Sequence, residues 1–137
     1  MVQKYDLVTL PVLNSMHDQR IKQLELKDKM FILHYRDLHC NTNMKFSSCD
    51  VIFSGIEDAD IVAEIRVKDG LVVEGTKYYD TEFLAFINQH QYSIETISFY
   101  YGYKTVIIEA ALVNKEGAYS EDCIIKISAP KVEYQWS

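Results

Sequence analysis

The sequence predicts an α+β domain dominated by antiparallel sheet, and three observations carry that prediction. Apolar and polar residues alternate almost without a break from Tyr92 to Trp136. Ile97, Phe99, Tyr101 and Tyr103 mark one run, and Val106, Ile108, Ala110 and Leu112 the next. Tyr119, Cys123, Ile125 and Ile127 mark a third, and Val132, Tyr134 and Trp136 a fourth. A side-chain period of two means strands with one buried face, so this region is expected to be a meander supplying half the core. Second, Asp69-Gly70 separates two more apolar runs, a hairpin signal, because both central residues of a type I′ turn need positive φ. Third, only the stretch from Asp80 to His90 has helical spacing, with Phe83, Phe86 and Ile87 on one stripe and Leu84 beside them. The sum is about eight short strands in a curled sheet, barrel-like or a sandwich, with one short helix near residues 80–90 closing an open face.

The elements follow in order. Residues 1–16 predict an edge segment or an irregular lead-in, because Pro11 interrupts the apolar run Val8 to Leu13 and cannot donate to a central ladder. Arg20 to Leu26 is extended, Lys27-Asp28-Lys29 is a polar turn, and Met30 to Arg36 is a strand with apolar groups on both faces, expected to be covered on both sides. Residues 37–47 have loop composition. Cys49, Val51, Phe53 and Gly55 define the next strand, Glu57-Asp58-Ala59-Asp60 an acidic turn, and Ile61, Ala63, Ile65 and Val67 a half-buried strand. Asp80 is a suitable N-cap, and Glu82 places a carboxylate where the helix dipole favours it. Gly102 and the stretch Asn114 to Gly117 supply the turns of the meander, and Ala129-Pro130 breaks the last pair of strands.

Composition bounds the chemistry. A chain of 137 residues fits one domain, 1–137, and a domain of that size buries about two-thirds of its unfolded surface. Hydrophobic residues make up 48% of it, with only 2 Pro and 5 Gly, which argues against disorder or a long linker. The formal charge of −6 lacks the basic stripe that phosphate backbones require and suits a basic partner instead. Three cysteines, Cys40, Cys49 and Cys123, form no CxxC pair, so neither a disulfide framework nor a structural zinc site is expected. Cys123 alternates with Ile125 and is expected in the core, whereas Cys40 and Cys49 flank a polar loop and are expected as exposed thiols. There is no signal-peptide pattern and no apolar run long enough to span a membrane, so a cytoplasmic protein is expected.

The search for catalytic groups returns little. His17-Asp18 is the first chemically suggestive pair, but His34, His39 and His90 fall at no recognisable metal-ligand spacing. Asp18 and Arg20 are equally suited to surface or turn hydrogen bonds. The acids Glu57, Asp58 and Asp60 lack the alternation and glycine of a calcium loop. No nucleophile elbow and no glycine-rich phosphate loop exists, so no cofactor and no metal ion is expected. The aromatic residues offer more: Phe99, Tyr100, Tyr101 and Tyr103 crowd one hairpin, and an exposed Tyr anchors an interface at low entropic cost.

Two short motifs carry a resemblance. Met16-His17-Asp18-Gln19-Arg20-Ile21 opens one strand, and Lys131-Val132-Glu133-Tyr134-Gln135-Trp136 ends the chain. With the intervening helix and Tyr-rich hairpin, they resemble a family of small bacterial proteins, mainly from Firmicutes, that begin with a Leu-His-Asp-like strand and end in Tyr-x-Trp. Met16 stands where that pattern has Leu. The resemblance implies no activity, so no residue inherits a catalytic role.

Three functional expectations follow. The first is a non-enzymatic protein-binding module, of the immunity or antitoxin kind, that covers a basic partner through Tyr100, Tyr101 and Tyr103, with His17, Asp18 and Arg20 as polar contacts. The second is a small-ligand-binding or metal-dependent enzyme built on His17 and Asp18. The third is a homo-oligomerising domain, a homodimer for example, paired through the hairpin edge at Tyr100.

Overall fold

Backbone chirality at the turns sets many strand boundaries. A computed structural model describes residues 1–39, 45–69 and 72–137, the side chains of 67–69 and 72–74 excepted. Its strands are β1 (Val2–Asp6), β2 (Arg20–Lys27), β3 (Met30–Arg36), β4 (Ser48–Ser54), β5 (Ile61–Asp69), β6 (Val72–Tyr79), β7 (Ser93–Gly102), β8 (Thr105–Val113), β9 (Tyr119–Ser128) and β10 (Lys131–Trp136). One helix, α1 (Thr81–His90), separates β6 from β7. Asp28 and Lys29 both take positive φ, at 51° and 59°, so β2 and β3 join through a turn whose twist matches theirs. Asn114 holds the β8–β9 loop by accepting from the amides of Glu116 and Ala118.

The strands form one antiparallel sheet in the order β1-β10-β4-β3-β2-β7-β8-β9-β5-β6. That order and the lengths of the connections dictate its shape. β9 and β10 stand six places apart, which would separate them by about 29 Å in a flat sheet. Only Ala129 and Pro130 join them, and the path from Ser128 to Lys131 spans at most about 10 Å. The sheet must therefore bend back on itself. The shortest ladder in the sheet is the β2–β7 seam, with the pairs Arg20↔Glu95 and Ile21↔Ile94, and this is the joint at which a bend disrupts the fewest pairs. Buried residues from both halves make one core, among them Phe31, Leu33, Tyr35, Val51, Phe53 and Tyr134 from one side and Ile61, Ile108, Leu112, Ile125 and Ile127 from the other.

The bend is held at a corner around Pro130. The Pro130 carbonyl accepts from the Leu7 amide at 2.8 Å, the Lys104 carbonyl accepts from Ala129 at 3.0 Å, and the Asp60 carbonyl accepts from Ser128 at 2.9 Å. Gly55, which leaves β4 at φ 77°, lies so close that a Cβ there would stand 2.9 Å from the Pro130 ring. Two crossings of the fold, β4 to β5 and β9 to β10, therefore share one point.

Helix α1 touches β6 at the sheet's edge and β2 at its middle, so it lies across the opening and inserts Phe83 and Ile87 into the core. Asp80 does not act as the expected side-chain N-cap. Its carboxylate instead accepts from the Ala59 amide at 2.7 Å and the Ile61 amide at 3.2 Å, tying the helix start to the acidic turn before β5.

Several expectations are corrected. Among the described residues ten strands form rather than about eight, β1 being one of the additions, and the sheet is open, with β1 and β6 as its ends, so the barrel-like form does not hold. The meander ends at β9, because β10 crosses to pair with β1 and β4. Ile97 does not share a face with Phe99: a bulge between Thr96 and Ser98 resets the alternation and leaves Ile97 40% exposed. β3 is not covered evenly on both faces, since His34 and Arg36 carry an ionic network on its outer side. Gly102 remains within β7, and Lys104, at φ 51°, makes the turn. The expected Asp-Gly hairpin falls partly on residues 70 and 71, outside the described residues, although Asp69 pairs with Val72 across it.

Replacing Asp80 with Ala is expected to cost about 2 kcal/mol in urea unfolding, because two amides lose a charged acceptor. Asp80→Ser restores little, since a serine hydroxyl is too short to reach residues 59 and 61. Full recovery with Ser would mean that helix capping was the source of the stability after all.

Candidate functional site

The most distinctive surface is an apolar rim at the open side of the fold. Leu7, Leu13 and Met16 turn inward and are buried, while Val8, Leu10 and Val12 turn outward, Val12 being 86% exposed. Two of the bonds that hold this segment tie it to the hairpin tip and to β10. The Leu7 carbonyl accepts from the Lys104 amide at 3.2 Å, and the Asn14 carbonyl accepts from the Tyr134 hydroxyl at 2.7 Å. Lys104 is the tip of the β7–β8 hairpin, so the first contact joins the start of this segment to the hairpin that carries Tyr101 and Tyr103. Burial, and then the neighbouring groups Tyr35, Cys49, Tyr5 and Tyr101, push the Tyr134 hydroxyl far above the usual tyrosine range. It is therefore a fixed donor at any accessible pH.

The tyrosines expected from sequence are all exposed on this hairpin: Tyr100 is 53% exposed, Tyr101 38% and Tyr103 61%. Tyr103 also carries Lys104 Nζ over its ring at 5.3 Å. The neighbours that complete the patch, Val8, Leu10 and Val12, were not legible as such. Their only signal is an apolar run without a period around Pro11. Leu10 has φ 51°, a conformation a branched residue adopts at a cost, so this presentation of side chains is imposed by the two anchors.

His17, Asp18 and Arg20 sit at the far end of the same segment. His17 Nδ1 donates to the Ile97 carbonyl, and its Nε2 lies 3.3 Å from Asp18 Oδ2. Because the carbonyl can only accept, Nδ1 is the donor of the first of these contacts. Asp18 also closes the sheet locally, its amide donating to the Thr96 carbonyl at 2.8 Å. Arg20 bonds Glu95 at 3.1 Å rather than this pair, and the other Glu95 oxygen accepts from Tyr119 at 2.7 Å. Thus His17 and Asp18 are together and Arg20 is not with them. Both His17 and Asp18 are more than half exposed, and no group of three or more His, Cys, Asp or Glu placed to hold a metal occurs among the described residues.

A second cluster escaped the sequence reading. On the outer face of β2, β3 and β4, His34 Nδ1 lies 2.8 Å from Asp50 and Nε2 lies 3.0 Å from Glu25. Arg36 adds a bond to Asp50 at 2.8 Å. Arg36 also lies 3.1 Å from His34 Nδ1, so the ring, the guanidinium and the two carboxylates form one network. Partial burial works against the Asp50 carboxylate, but hydrogen bonds from Arg36 and His34, with their charges, outweigh it and hold its pKa below the usual range. Bonds from His34 and Lys27 likewise lower Glu25. The cluster joins residues far apart in sequence, and only the strand register reveals it. It ties β2, β3 and β4 together as an electrostatic clasp.

Cys49 is buried, not an exposed thiol, because its side chain falls on the inner face of β4. Burial, and then the Asp50 charge, push its pKa up to about 12, which removes the thiolate needed for reactivity. Cys123 is buried as expected, and Cys40 lies outside the described residues. The recesses beside Ile97 (260 Å³), along β1 and β10 (470 Å³), between β2 and the β8–β9 loop (290 Å³) and at Pro130 (310 Å³) are all lined without His17 or Asp18.

Comparison with known proteins transfers no role: neither protein-family models, nor curated proteins, nor solved structures gave a match. No helix among the described residues is long and apolar enough to cross a membrane.

The clasp makes a pH prediction with a defined sign. A carboxyl held below its unfolded pKa contributes stability above that value, and the contribution disappears as pH falls through the folded pKa. Asp50→Asn is therefore expected to lower stability at pH 7, by about 1 kcal/mol for a half-exposed charged pair. The difference from wild type should shrink progressively as pH falls from about 5 through the ordinary carboxylate range and below it. Urea unfolding followed down to about pH 2 checks this, and a deficit that stays constant over that whole range would show that Asp50 contributes by shape rather than charge.

Proposed function

We propose that this chain is a non-enzymatic protein-binding module whose docking surface is the apolar rim of Val8, Leu10, Val12, Tyr101 and Tyr103, and whose partner is a basic protein. The observation that carries the reading is the exposure of three aliphatic side chains on one short segment that bonds the tip of the hairpin bearing Tyr101 and Tyr103, both exposed. Exposed single aliphatics need no explanation, but three on one short segment joined to a tyrosine hairpin have the composition of an interface core. The net charge of −6 favours a cationic partner and speeds its encounter. Asp6 and Asp18 flank the segment with carboxylates. A module of this kind would act by covering a site on its partner, as an immunity or antitoxin protein does, within the cytoplasm.

One observation favours self-association as a second reading. From Ser98 to Gly102, β7 has ladder partners on β8 alone, and this stretch carries no charge and no proline to protect its other edge. A second copy could add a strand there, with Tyr100 at the contact.

The test is affinity capture with tagged wild type and with the double variant Val12→Asp, Tyr103→Asp, both checked for fold by circular dichroism. Stoichiometric capture of a basic protein by the wild type, weakened at least about tenfold in the variant, is the expected result. Equal capture by both, or none by either, overturns the rim as a docking surface. Light scattering across a hundredfold range of concentration separates the second reading, which requires a dimer whose population rises with concentration.

A further inference from the structure

On a chain with 20 acidic and 14 basic residues, one recess gathers cations and no acid. It lies between β2, the start of β7 and the β8–β9 loop, has a volume of 290 Å³, and is lined by Arg20, Lys22 and Lys115, with no carboxylate-bearing residue in its lining. Tyr92, Ser93 and Asn114 supply polar groups to its wall. The site is partly pre-organised. Arg20 is braced by Glu95 at 3.1 Å, and Tyr119 occupies the other Glu95 oxygen, so this acid is engaged from both sides. Lys115 rides on the loop that Asn114 fixes through two amides. Lys22 and Lys115 have no ion pair among the described residues.

Glu95 pairs Arg20 from outside the lining, but Lys22 and Lys115 share the recess with it and bring no acid of their own, so an anion placed there offsets their repulsion. A guanidinium fork and two mobile ammonium groups match the oxygens of a phosphate. The volume is at the lower end of about 300–1,000 Å³ for ligand sites, which fits a small molecule. We propose that this groove binds a small phosphate-bearing anion. The site is independent of the rim and stands or falls separately from it.

Inorganic pyrophosphate, titrated into the full chain and followed by calorimetry and by amide chemical shifts, is the probe. The expected result is saturable one-to-one binding, with the largest shifts at Ser93, Lys115 and Gly117. Lys22→Gln with Lys115→Gln is expected to weaken it at least about tenfold, whereas Lys77→Gln with Lys126→Gln, two exposed lysines outside the groove, leaves it unchanged. All four positions are exposed, so the variants are expected to fold, and urea unfolding verifies it. No saturable binding, or equal weakening in the two double variants, overturns the proposal. A phosphoserine peptide binding more tightly than pyrophosphate would overturn it in favour of a protein ligand.

Discussion

The architecture depends on the corner at Pro130. Two residues must carry the chain between strands six places apart in the sheet, and that requirement alone excludes a flat arrangement. Everything that gathers there is consistent with it. Leu7 leaves β1 and donates to Pro130, Ala129 bonds the hairpin tip at Lys104, Ser128 bonds Asp60, and Gly55 passes where no Cβ would fit. Since Pro has no N–H to give and holds its own φ, it suits a corner in which its carbonyl, not its nitrogen, does the bonding. The buried tyrosines Tyr35 and Tyr134 then find partners at the fold's open side, Thr96 and Asn14 respectively, so no buried side-chain polar atom among the described residues is left unsatisfied.

The functional surfaces are consequences of this bend. Folding the sheet along a seam of two residue pairs leaves the outer part of β7 without a partner on that side, and the segment from Leu7 to Gln19 runs from the hairpin tip back to Thr96 beside it. The segment has inward anchors and outward aliphatics because it must cover a gap without forming a ladder. The same bend places the charged outer faces in separate territories. The His34 clasp lies on β2–β4, the cationic groove lies at the β8–β9 loop, and the rim carries few charges of its own. An acidic protein can in this way hold an apolar docking face and a local anion site without one interfering with the other.

Much of the fold was legible from alternation and turn chemistry. The strand at Met30–Arg36 and the helix to His90 match the sequence reading to within a residue, because their signals are local: a period, a charged first turn, a pair of turn residues. What failed was non-local. Nothing in Lys131 to Trp136 says that β10 pairs with β1 and β4 rather than with β9, because register and neighbour are set by the whole core. The bulge at Ile97 inverted one run for the same reason. Asp80 had the right residue type for a cap, yet two amides twenty residues earlier claim its carboxylate. Of the candidate site, the tyrosines of the hairpin were visible as a cluster. Val8, Leu10 and Val12 were not, since their exposure comes from anchors at Lys104 and Tyr134 that the sequence does not announce.

The placement of β10 is the claim on which the corner, the seam and the rim all rest, and cross-strand nuclear Overhauser contacts test it directly. The account predicts contacts from Tyr134 to both Gln3 and Val51, its register partners on β1 and β4. Contacts between β10 and β9 in the register of a simple hairpin would contradict it, and with it the bend that brings the rim together.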